Sequence, residues 1–271
     1  MSLQDKQNPS SEFERQGYVF CPKFFSDAEV SELQSEIKKA SASLDKADYL
    51  NRDKMIFYSN VFRKSEFLQR FISQKKIVEF LRQLIGPGFW VRWDQCVVKG
   101  PGAPPFPWHQ DNAYNRLWDA HYQFWIGLTE MNEKNGGLWL KPGSHKHRLL
   151  PHRRVTNHLE CTSEPEKPEL LPTEKGDVVL FSSFMLHHTK SNESTSERWA
   201  YVVEYMSLDH YDPLIKPPYF VVSEGGMPAP KFVESYSGSS SVRNRIKYLP
   251  LQIKERCKDA VRGFAIQKSS D

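Results

Sequence analysis

The sequence predicts an α+β fold that is mainly β: a double-stranded β-helix (jelly-roll, cupin-like) core with N-terminal and C-terminal flanking helices. Three observations support this fold class. Amphipathic helical patterns are confined to the region before residue 88 and to the segment around residue 250. Between them, short runs rich in Trp, Val, Ile, Phe and Tyr alternate with clusters of Pro, Gly and Asn, which is typical of antiparallel sheets. No internal repeat is visible, so helices packed on one β core are expected.

The predicted helices follow from capping signals and apolar spacing. Residues 26–29, Ser-Asp-Ala-Glu, have the pattern of a capping box, and apolar residues recur at helical spacing from Val30 onward. Residues 65–85 repeat apolar positions in the same way and predict one or two further helices, which end at a Gly-Pro-Gly sequence. Near the C-terminus, Pro250 suits the first turn of a last helix. The intervening residues 224–241 are expected to be irregular and mobile.

Short apolar runs predict the strands of the β core: FWVRWDQCVV, YQFWIGLTEM, GLWLKP, DVVLF and WAYVVEYM. Each run has the length and the β-branched and aromatic content of a buried strand. The proline-rich acidic stretch between the third and fourth runs predicts a loop. We therefore expect one domain over residues 1–271, with a helical N-terminal part at 1–88, a jelly-roll core at 89–210 and a C-terminal extension at 211–271.

Composition and charge indicate a soluble globular protein. The 271 residues are 39% apolar and 26% charged, with a net charge of +4. Without a sustained Lys/Arg stripe, a nucleic-acid partner is not expected, and no window approaches the roughly 20 apolar residues of a membrane span. Four cysteines without CxxC spacing, together with a polar N-terminus, predict reduced thiols and a cytoplasmic location. The sequence does not indicate an oligomeric state.

A histidine and a carboxylate lie two residues apart in the sequence PWHQDNAY. On a strand, His109 and Asp111 would face the same side and could bind one metal ion. The sequence HHTKSN offers His187 or His188 as a third ligand, but neighbouring residues of a strand face opposite sides, and spacing alone does not decide between them. Two histidines and one carboxylate form the facial triad of non-haem iron oxygenases. A zinc hydrolase uses the same ligand types. From His109 and Asp111 alone, a chance pair on a solvated strand is the simpler explanation.

Three ordered motifs carry a family resemblance. They are WHQD, then NGGLWLKPGSHK at 135–146, then GDVVLF, LHHTKSN and ER within 176–198. Together they resemble the phytanoyl-CoA dioxygenase family of Fe(II)/2-oxoglutarate-dependent oxygenases, over roughly residues 89–207. The resemblance implies a jelly-roll fold and an enzyme that uses Fe(II), 2-oxoglutarate and O₂.

The resemblance also implies residue roles. It implies that His109, Asp111 and His187 are the iron ligands, since Asn192 then stands where the family has its Asn after the distal His. Arg198 matches the residue that pairs with the far carboxylate of 2-oxoglutarate.

Three further positions match the co-substrate pocket of the family. Thr189 stands at the Ser/Thr position that helps to bind the far carboxylate, and Lys99 and Trp125 match residues that line the pocket. The sequence departs from the family pattern at His188, where many relatives have Gly, so His188 could compete for the metal. Because Asp111 is present, where related halogenases have Gly or Ala, the resemblance implies hydroxylation rather than halogenation.

The expected substrate is a small polar or anionic metabolite, whose C–H bond is hydroxylated with release of succinate and CO₂. Tyr114 and Trp118 follow the HQD sequence on a predicted loop and are the expected substrate-facing aromatics. Two alternatives remain open at this point. One is an acyl-CoA hydroxylase with the same mechanism, and the other is a non-catalytic jelly-roll that binds a metal and an organic acid.

Overall fold

A computed structural model describes residues 9–156 and 158–268 of the chain. Its helices are α1 Pro9–Gln16, α2 Asp27–Ser41, α3 Glu66–Phe71, α4 Lys75–Ile85, α5 Asn112–Asn115, α6 Ser237–Ser240 and α7 Val242–Lys268. Its strands are β1 Tyr18–Cys21, β2 Tyr49–Arg52, β3 Met55–Ser59, β4 Phe89–Lys99, β5 Phe106–His109, β6 Tyr122–Gly127, β7 Leu138–Leu140, β8 His152–Val155, β9 His158–Cys161, β10 Glu169–Leu171, β11 Val178–Ser182, β12 His187–Thr189, β13 Arg198–Ser207, β14 Tyr219–Glu224 and β15 Met227–Val233. Single 3₁₀ turns lie at Val61–Lys64 and Ser144–His147.

Two antiparallel sheets form the jelly-roll and confirm the predicted fold class. The larger sheet has the strand order β1-β11-β6-β13-β4-β14-β15, and the β2–β3 hairpin joins it along β4. The smaller sheet has the order β10-β7-β12-β5. A separate hairpin is formed by β8 and β9.

Helices α2, α3 and α4 cover the outer face of the larger sheet. The predicted capping box is confirmed, since the Ser26 hydroxyl accepts from the Glu29 amide at 3.3 Å and the Glu29 carboxylate accepts from the Ser26 amide at 2.9 Å. Helix α2 then buries Val30, Leu33 and Ile37 completely. Each such side chain contributes about 1.5–3 kcal/mol by leaving water. The apolar stripe read from the sequence therefore fixes this helix on the sheet.

Strand β13 shows how the sheet separates core from site. Its residues Trp199, Tyr201 and Val203 pack into the helix-covered core. The alternate residues Ala200 and Val202 belong to a second cluster between the two sheets. Side chains of a strand alternate between faces, so every second residue of β13 faces the interior between the sheets.

Both flanking parts contribute strands, which corrects two sequence-based expectations. The N-terminal part is not only helical, because β1 pairs with β11 and the β2–β3 hairpin pairs with β4. The segment 224–241, expected to be irregular, includes the whole of β15 and of α6. Strand β15 is an edge strand with prolines, which weakens its sequence signal but is tolerated where one side of the strand has no partner.

The last helix begins earlier than predicted. Helix α7 starts at Val242, so Pro250 lies inside it rather than in its first turn. An internal proline removes one helical hydrogen bond. Tertiary contacts offset that loss, because the Tyr248 hydroxyl accepts from the backbone amides of Trp118 at 3.1 Å and Asp119 at 3.2 Å. Within the part of the chain that the structure describes, no helix combines the length and apolar character needed to cross a membrane.

Candidate active site

Two short strands bring the two histidines together. Residues His109 of β5 and His187 of β12 are direct partners in the antiparallel register, and their ring centroids are 4.1 Å apart. His187 does not belong to the strand that contains DVVLF. Strand β11 of the larger sheet ends at Ser182, and His187 is the first residue of β12, which belongs to the smaller sheet. The change of sheet places His187 opposite His109.

Asp111 reaches the same point by a different route from the one predicted. Strand β5 ends at His109, and Asp111 has helical backbone angles, φ −59° and ψ −36°, at the start of α5. The turn, rather than strand alternation, brings the carboxylate back to the histidines. Asp111 Oδ1 lies 3.5 Å from His109 Nε2, and Asp111 Oδ2 lies 3.7 Å from His187 Nε2.

Backbone carbonyls fix the orientation of both imidazoles. His109 Nδ1 donates to the Pro107 carbonyl at 2.8 Å, and His187 Nδ1 donates to the Met185 carbonyl at 3.0 Å. Each Nε2 therefore keeps its lone pair and faces Asp111, which is the arrangement that metal-binding histidines adopt. The three ligand atoms lie within 4.8 Å of one another, and no other such trio occurs among the described residues.

The charges of the cluster suit a metal ion. Burial alone would raise the pKa of Asp111, but the His187 and His109 imidazoles lower it to about 2. Burial and the neighbouring His109 lower the pKa of His187 to about 4. At neutral pH the cluster thus offers an ionised carboxylate and a neutral His187, the protonation states that bind divalent metals.

His188 lies outside this cluster. Its ring stacks on Trp108, with the ring centroids 4.2 Å apart, and it is paired with Trp139 of β7 in the register. Because neighbouring residues of β12 face opposite sides, His187 and His188 cannot both face Asp111. The geometry therefore favours His187, as the family resemblance implied.

A second cluster is formed by two buried basic residues. Arg198 of β13 and Lys99 of β4 are direct partners in the sheet, and both are almost fully buried. The Nε and Nη1 atoms of Arg198 have no hydrogen-bond partner, and its guanidinium lies 5.6 Å from the ring centroid of Trp125. Burial lowers the pKa of Arg198 to about 10. A buried guanidinium with free donors is costly unless an anion pairs with it.

Lys99 is held at the same place by the end of β12. Its Nζ donates to the Thr189 hydroxyl at 3.0 Å and to the carbonyl of Lys190. Burial, and then the charge of Arg198, lower the pKa of Lys99 to about 6. The two basic side chains and the Thr189 hydroxyl therefore lie together and form a pocket that fits a carboxylate.

Residues of the family motifs pack around this pocket and support Lys99 and β12. A Cβ on Gly136 would lie 2.6 Å from the Lys190 carbonyl and 3.0 Å from Lys99 Cδ, so only glycine leaves room for the lysine chain. The Asn192 side chain donates to the Lys99 carbonyl at 2.8 Å. Ser144 accepts from the Leu186 amide at 2.9 Å, next to β12. These residues support the site without contacting the histidine–carboxylate cluster.

A cavity of about 610 Å³ borders the histidine–carboxylate cluster. It is lined by His109, Asp111 and His187, and by Trp125 and Thr189. Arg198 and Lys99 are not among the lining residues and lie just behind Trp125 and Thr189.

Of the two aromatic residues expected to face the substrate, Tyr114 lines the cavity and Trp118 does not. Tyr114 lines the cavity, its ring centroid is 6.1 Å from that of His109, and its hydroxyl accepts from the Leu159 amide. Trp118 is 61% exposed and does not line the cavity. Trp118 instead belongs to the loop that Tyr248 of α7 holds.

Sequence reasoning missed a polar wall formed by Arg92, Gln123 and Glu204, which also line the cavity. Side chains alternate along β13, so Glu204 lies on the same face as Arg198. The sequence could therefore have placed Glu204 at the cavity. The sequence could not have placed Arg92 there, because its orientation depends on an irregularity in the pairing of β13 with β4.

A jelly-roll with two histidines and one carboxylate at such a cavity has the fold and ligand set of a non-haem iron oxygenase. The comparison with known families agrees. The chain belongs to the phytanoyl-CoA dioxygenase family, whose model matches residues 13–200. The predicted family is thus confirmed, and with it an enzyme class that uses Fe(II), 2-oxoglutarate and O₂.

Individual relatives have diverse substrates. A probable alpha-ketoglutarate-dependent hypophosphite dioxygenase of Stutzerimonas stutzeri is 28% identical over 265 residues, 89% of this chain and 90% of the relative. An ectoine dioxygenase of Bordetella parapertussis is 25% identical over 264 residues, 85% and 82% of the two chains. The crystal structure of EctD from S. alaskensis with 2-oxoglutarate and 5-hydroxyectoine has a TM-score of 0.61 at 21% identity, and covers 77% of each chain.

Proposed function

We propose that the protein hydroxylates a C–H bond of a small organic metabolite at the His109–Asp111–His187 cluster. The observation that carries this proposal is the pairing of that cluster with the anion pocket of Arg198, Lys99 and Thr189 in one site. A metal-binding trio alone would also suit a hydrolase. The Arg198 guanidinium, buried with Nε and Nη1 unpaired, calls for an anionic partner in addition to the metal. A co-substrate with two carboxylates can bind at both places.

In this proposal His109, Asp111 and His187 hold Fe(II), and Arg198 holds the far carboxylate of 2-oxoglutarate. When bound, the iron supplies the oxidation chemistry that couples decarboxylation of 2-oxoglutarate to hydroxylation. The protein's part is positional. The carbonyls of Pro107 and Met185 keep both histidines in the binding orientation, and Lys99 and Thr189 complete the carboxylate pocket.

The cavity favours an organic substrate larger than an inorganic oxyanion. A volume of about 610 Å³ lies within the range of sites for drug-sized ligands. Its wall combines apolar side chains such as Phe57 and Phe181 with polar ones such as Gln95 and Arg52. Relatives that act on small metabolites support this size class. The structure offers no separate support for the acyl-CoA alternative.

The proposed activity is tested by succinate release. Purified protein with Fe(II), ascorbate and 2-oxoglutarate should form succinate slowly without a substrate, and faster when a member of a metabolite panel is hydroxylated. Absence of succinate from iron-loaded protein, under conditions in which 2-oxoglutarate is bound, would instead support the non-catalytic binding protein.

The pH dependence of 2-oxoglutarate affinity should report on Lys99. Its pKa is about 6 in the free protein, and a bound carboxylate favours the charged form and raises the pKa. Binding then takes up a proton, so affinity falls as pH rises above 6, by up to about tenfold per pH unit. Calorimetric titrations from pH 6 to 8.5 should show this slope, and Lys99→Met should lose most of it. A variant that keeps the full slope would assign the proton to another group.

Tyr114 and Trp118 form a matched pair for substrate contact. Tyr114→Ala should slow substrate hydroxylation more than it slows substrate-independent 2-oxoglutarate oxidation, because only Tyr114 lines the cavity. Trp118→Ala should change the ratio of the two rates much less. Both rates are measured from succinate and hydroxylated product in the same reaction. A larger change of the ratio in Trp118→Ala would place the substrate outside the cavity.

A further inference from the structure

Helix α7 is held on the domain by one of its faces. Asn244 and Tyr248 are buried, and four residues apart on a helix they share a face. The Asn244 side chain donates to the Asp209 carbonyl at 2.8 Å, and the Tyr248 hydroxyl donates to Asp119 Oδ2 at 2.8 Å. This face therefore anchors the first turns of the helix.

The opposite face of α7 exposes a stripe of aliphatic side chains. The α7 stripe consists of Val242, Ile246, Leu249 and Ile253, which are 70%, 67%, 51% and 53% exposed. Spacings of four, three and four residues place them on one side of the helix, roughly opposite Tyr248. They are four of the six most exposed large apolar residues in the described part of the chain. Such a concentration of exposed apolar side chains indicates a surface that another apolar phase covers.

Basic residues border the α7 stripe on both sides. At 3.6 residues per turn, Arg243 and Lys254 lie along one border and Arg245 lies along the other, and all three are exposed. Arg243 and Lys254 form no ion pair with a side chain that the structure describes, whereas Lys247 pairs with Asp119 and helps to anchor the helix.

The positive charge of the chain is concentrated on this helix. The range of α7 contains eight basic and two acidic residues, a net charge of +6, whereas the whole chain has a net charge of +4. The remainder of the chain is thus slightly negative. A helix with an apolar side and many Lys and Arg residues is typical of helices that bind anionic surfaces.

The charges favour an anionic partner over a second copy of the chain. Two α7 stripes facing each other would bring Arg243, Arg245 and Lys254 of both copies together, and like charges across an interface are unfavourable. An anionic phospholipid surface offers an apolar layer for the stripe and negative headgroups for its borders. It also needs no groove shaped to fit the outer side of a helix.

We propose that α7 attaches the protein to an anionic phospholipid surface, with the helix lying in the plane of the headgroups. The α7 stripe enters the boundary between headgroups and acyl chains, and the bordering Arg and Lys side chains reach the phosphates. This mode of binding does not cross the membrane. It is independent of the proposed function, because no residue of the stripe lines the active-site cavity.

Vesicle sedimentation with the full chain tests this attachment. One set of vesicles is phosphatidylcholine alone, and the other is three parts phosphatidylcholine to one part phosphatidylserine. Each basic residue near an anionic surface strengthens binding by roughly fivefold. We therefore expect the mixed vesicles to bind at least about tenfold more tightly, and we expect salt to weaken this binding.

Two double variants separate the apolar and the charged contributions. Ile246→Ser with Ile253→Ser should lose most of the binding to mixed vesicles, because both side chains belong to the α7 stripe. Arg243→Gln with Lys254→Gln should lose most of the preference for phosphatidylserine. Circular dichroism and thermal unfolding should match the wild type for both variants, because all four side chains are exposed.

Matched controls change the same residue types elsewhere on the surface. Met227 is 58% exposed and lies on β15, and the side chains of Lys39 and Lys75 are each 72% exposed on α2 and α4. Met227→Ser, and Lys39→Gln with Lys75→Gln, should bind mixed vesicles as the wild type does.

Three results would overturn the attachment. The first is wild-type protein that binds neither kind of vesicle or binds both equally, and the second is full binding by the Ile246→Ser, Ile253→Ser variant. The third is a wild-type dimer, or retention on poly-glutamate, that this variant loses while no vesicle binding occurs. That result would assign the α7 stripe to a second copy or to an acidic protein.

Discussion

Replacing Arg198 with alanine is expected to weaken 2-oxoglutarate binding by roughly 30-fold to several thousand-fold. Truncating one partner of a buried charge pair costs about 2–5 kcal/mol, and about 1.4 kcal/mol corresponds to a factor of ten. We expect a loss toward the upper end of this range, because the Arg198 guanidinium is buried and its Nε and Nη1 atoms have no partner within the protein. Calorimetric titration of the iron-loaded protein without oxygen measures the change.

Two comparisons make this prediction specific. Arg198→Lys should restore only part of the affinity, because an ammonium group replaces a planar pair of donors by a point charge. The iron content of Arg198→Ala should equal that of the wild type, because the guanidinium is not among the three clustered ligands. An unchanged affinity for 2-oxoglutarate in Arg198→Ala would remove the co-substrate from this pocket.

Alanine at any one of His109, Asp111 or His187 is expected to abolish turnover and to reduce iron binding sharply. Each residue contributes one of the three clustered ligand atoms, and among the described residues no other His, Cys, Asp or Glu forms such a trio. Metal analysis after dialysis against limiting Fe(II) gives the stoichiometry, and succinate formation gives the activity.

His188→Ala is the matched control for the metal ligands. The change removes a neighbouring histidine of the same strand, whose ring stacks on Trp108 instead of facing Asp111. It should therefore retain iron and most of the 2-oxoglutarate oxidation. Loss of iron in His188→Ala together with full iron in His187→Ala would show that the distal ligand had been assigned to the wrong histidine.

The clustering of His109, Asp111 and His187 could be predicted because three ordered sequence motifs carry the family resemblance. His109 and Asp111 are two residues apart, and strand alternation allows only one of His187 and His188 to join them. The sequence did not reveal why Asp111 converges, since the turn after β5 is a property of the backbone path. The residue types and their order along the chain carried the prediction, and the exact geometry did not.

Other parts of the site depend on long-range packing and had weak signals or none. Arg92 joins the cavity wall because of a bulge opposite Tyr205, which a periodic pattern does not encode. Trp118 looked like a substrate contact from its position after HQD, yet Tyr248, 130 residues later, holds its backbone at the surface. Edge strand β15, with its prolines, likewise has a composition typical of a loop.

The most direct measurement is an oxygen-free titration of 2-oxoglutarate into the Fe(II)-loaded protein, followed by visible absorption. Chelation of Fe(II) by a 2-oxo acid gives a metal-to-ligand absorption band. The account predicts that the band appears and saturates at about one equivalent of 2-oxoglutarate per bound iron. It also predicts that Arg198→Ala shifts the titration to higher concentration without loss of iron. Iron binding without any band in the wild-type protein would contradict the account.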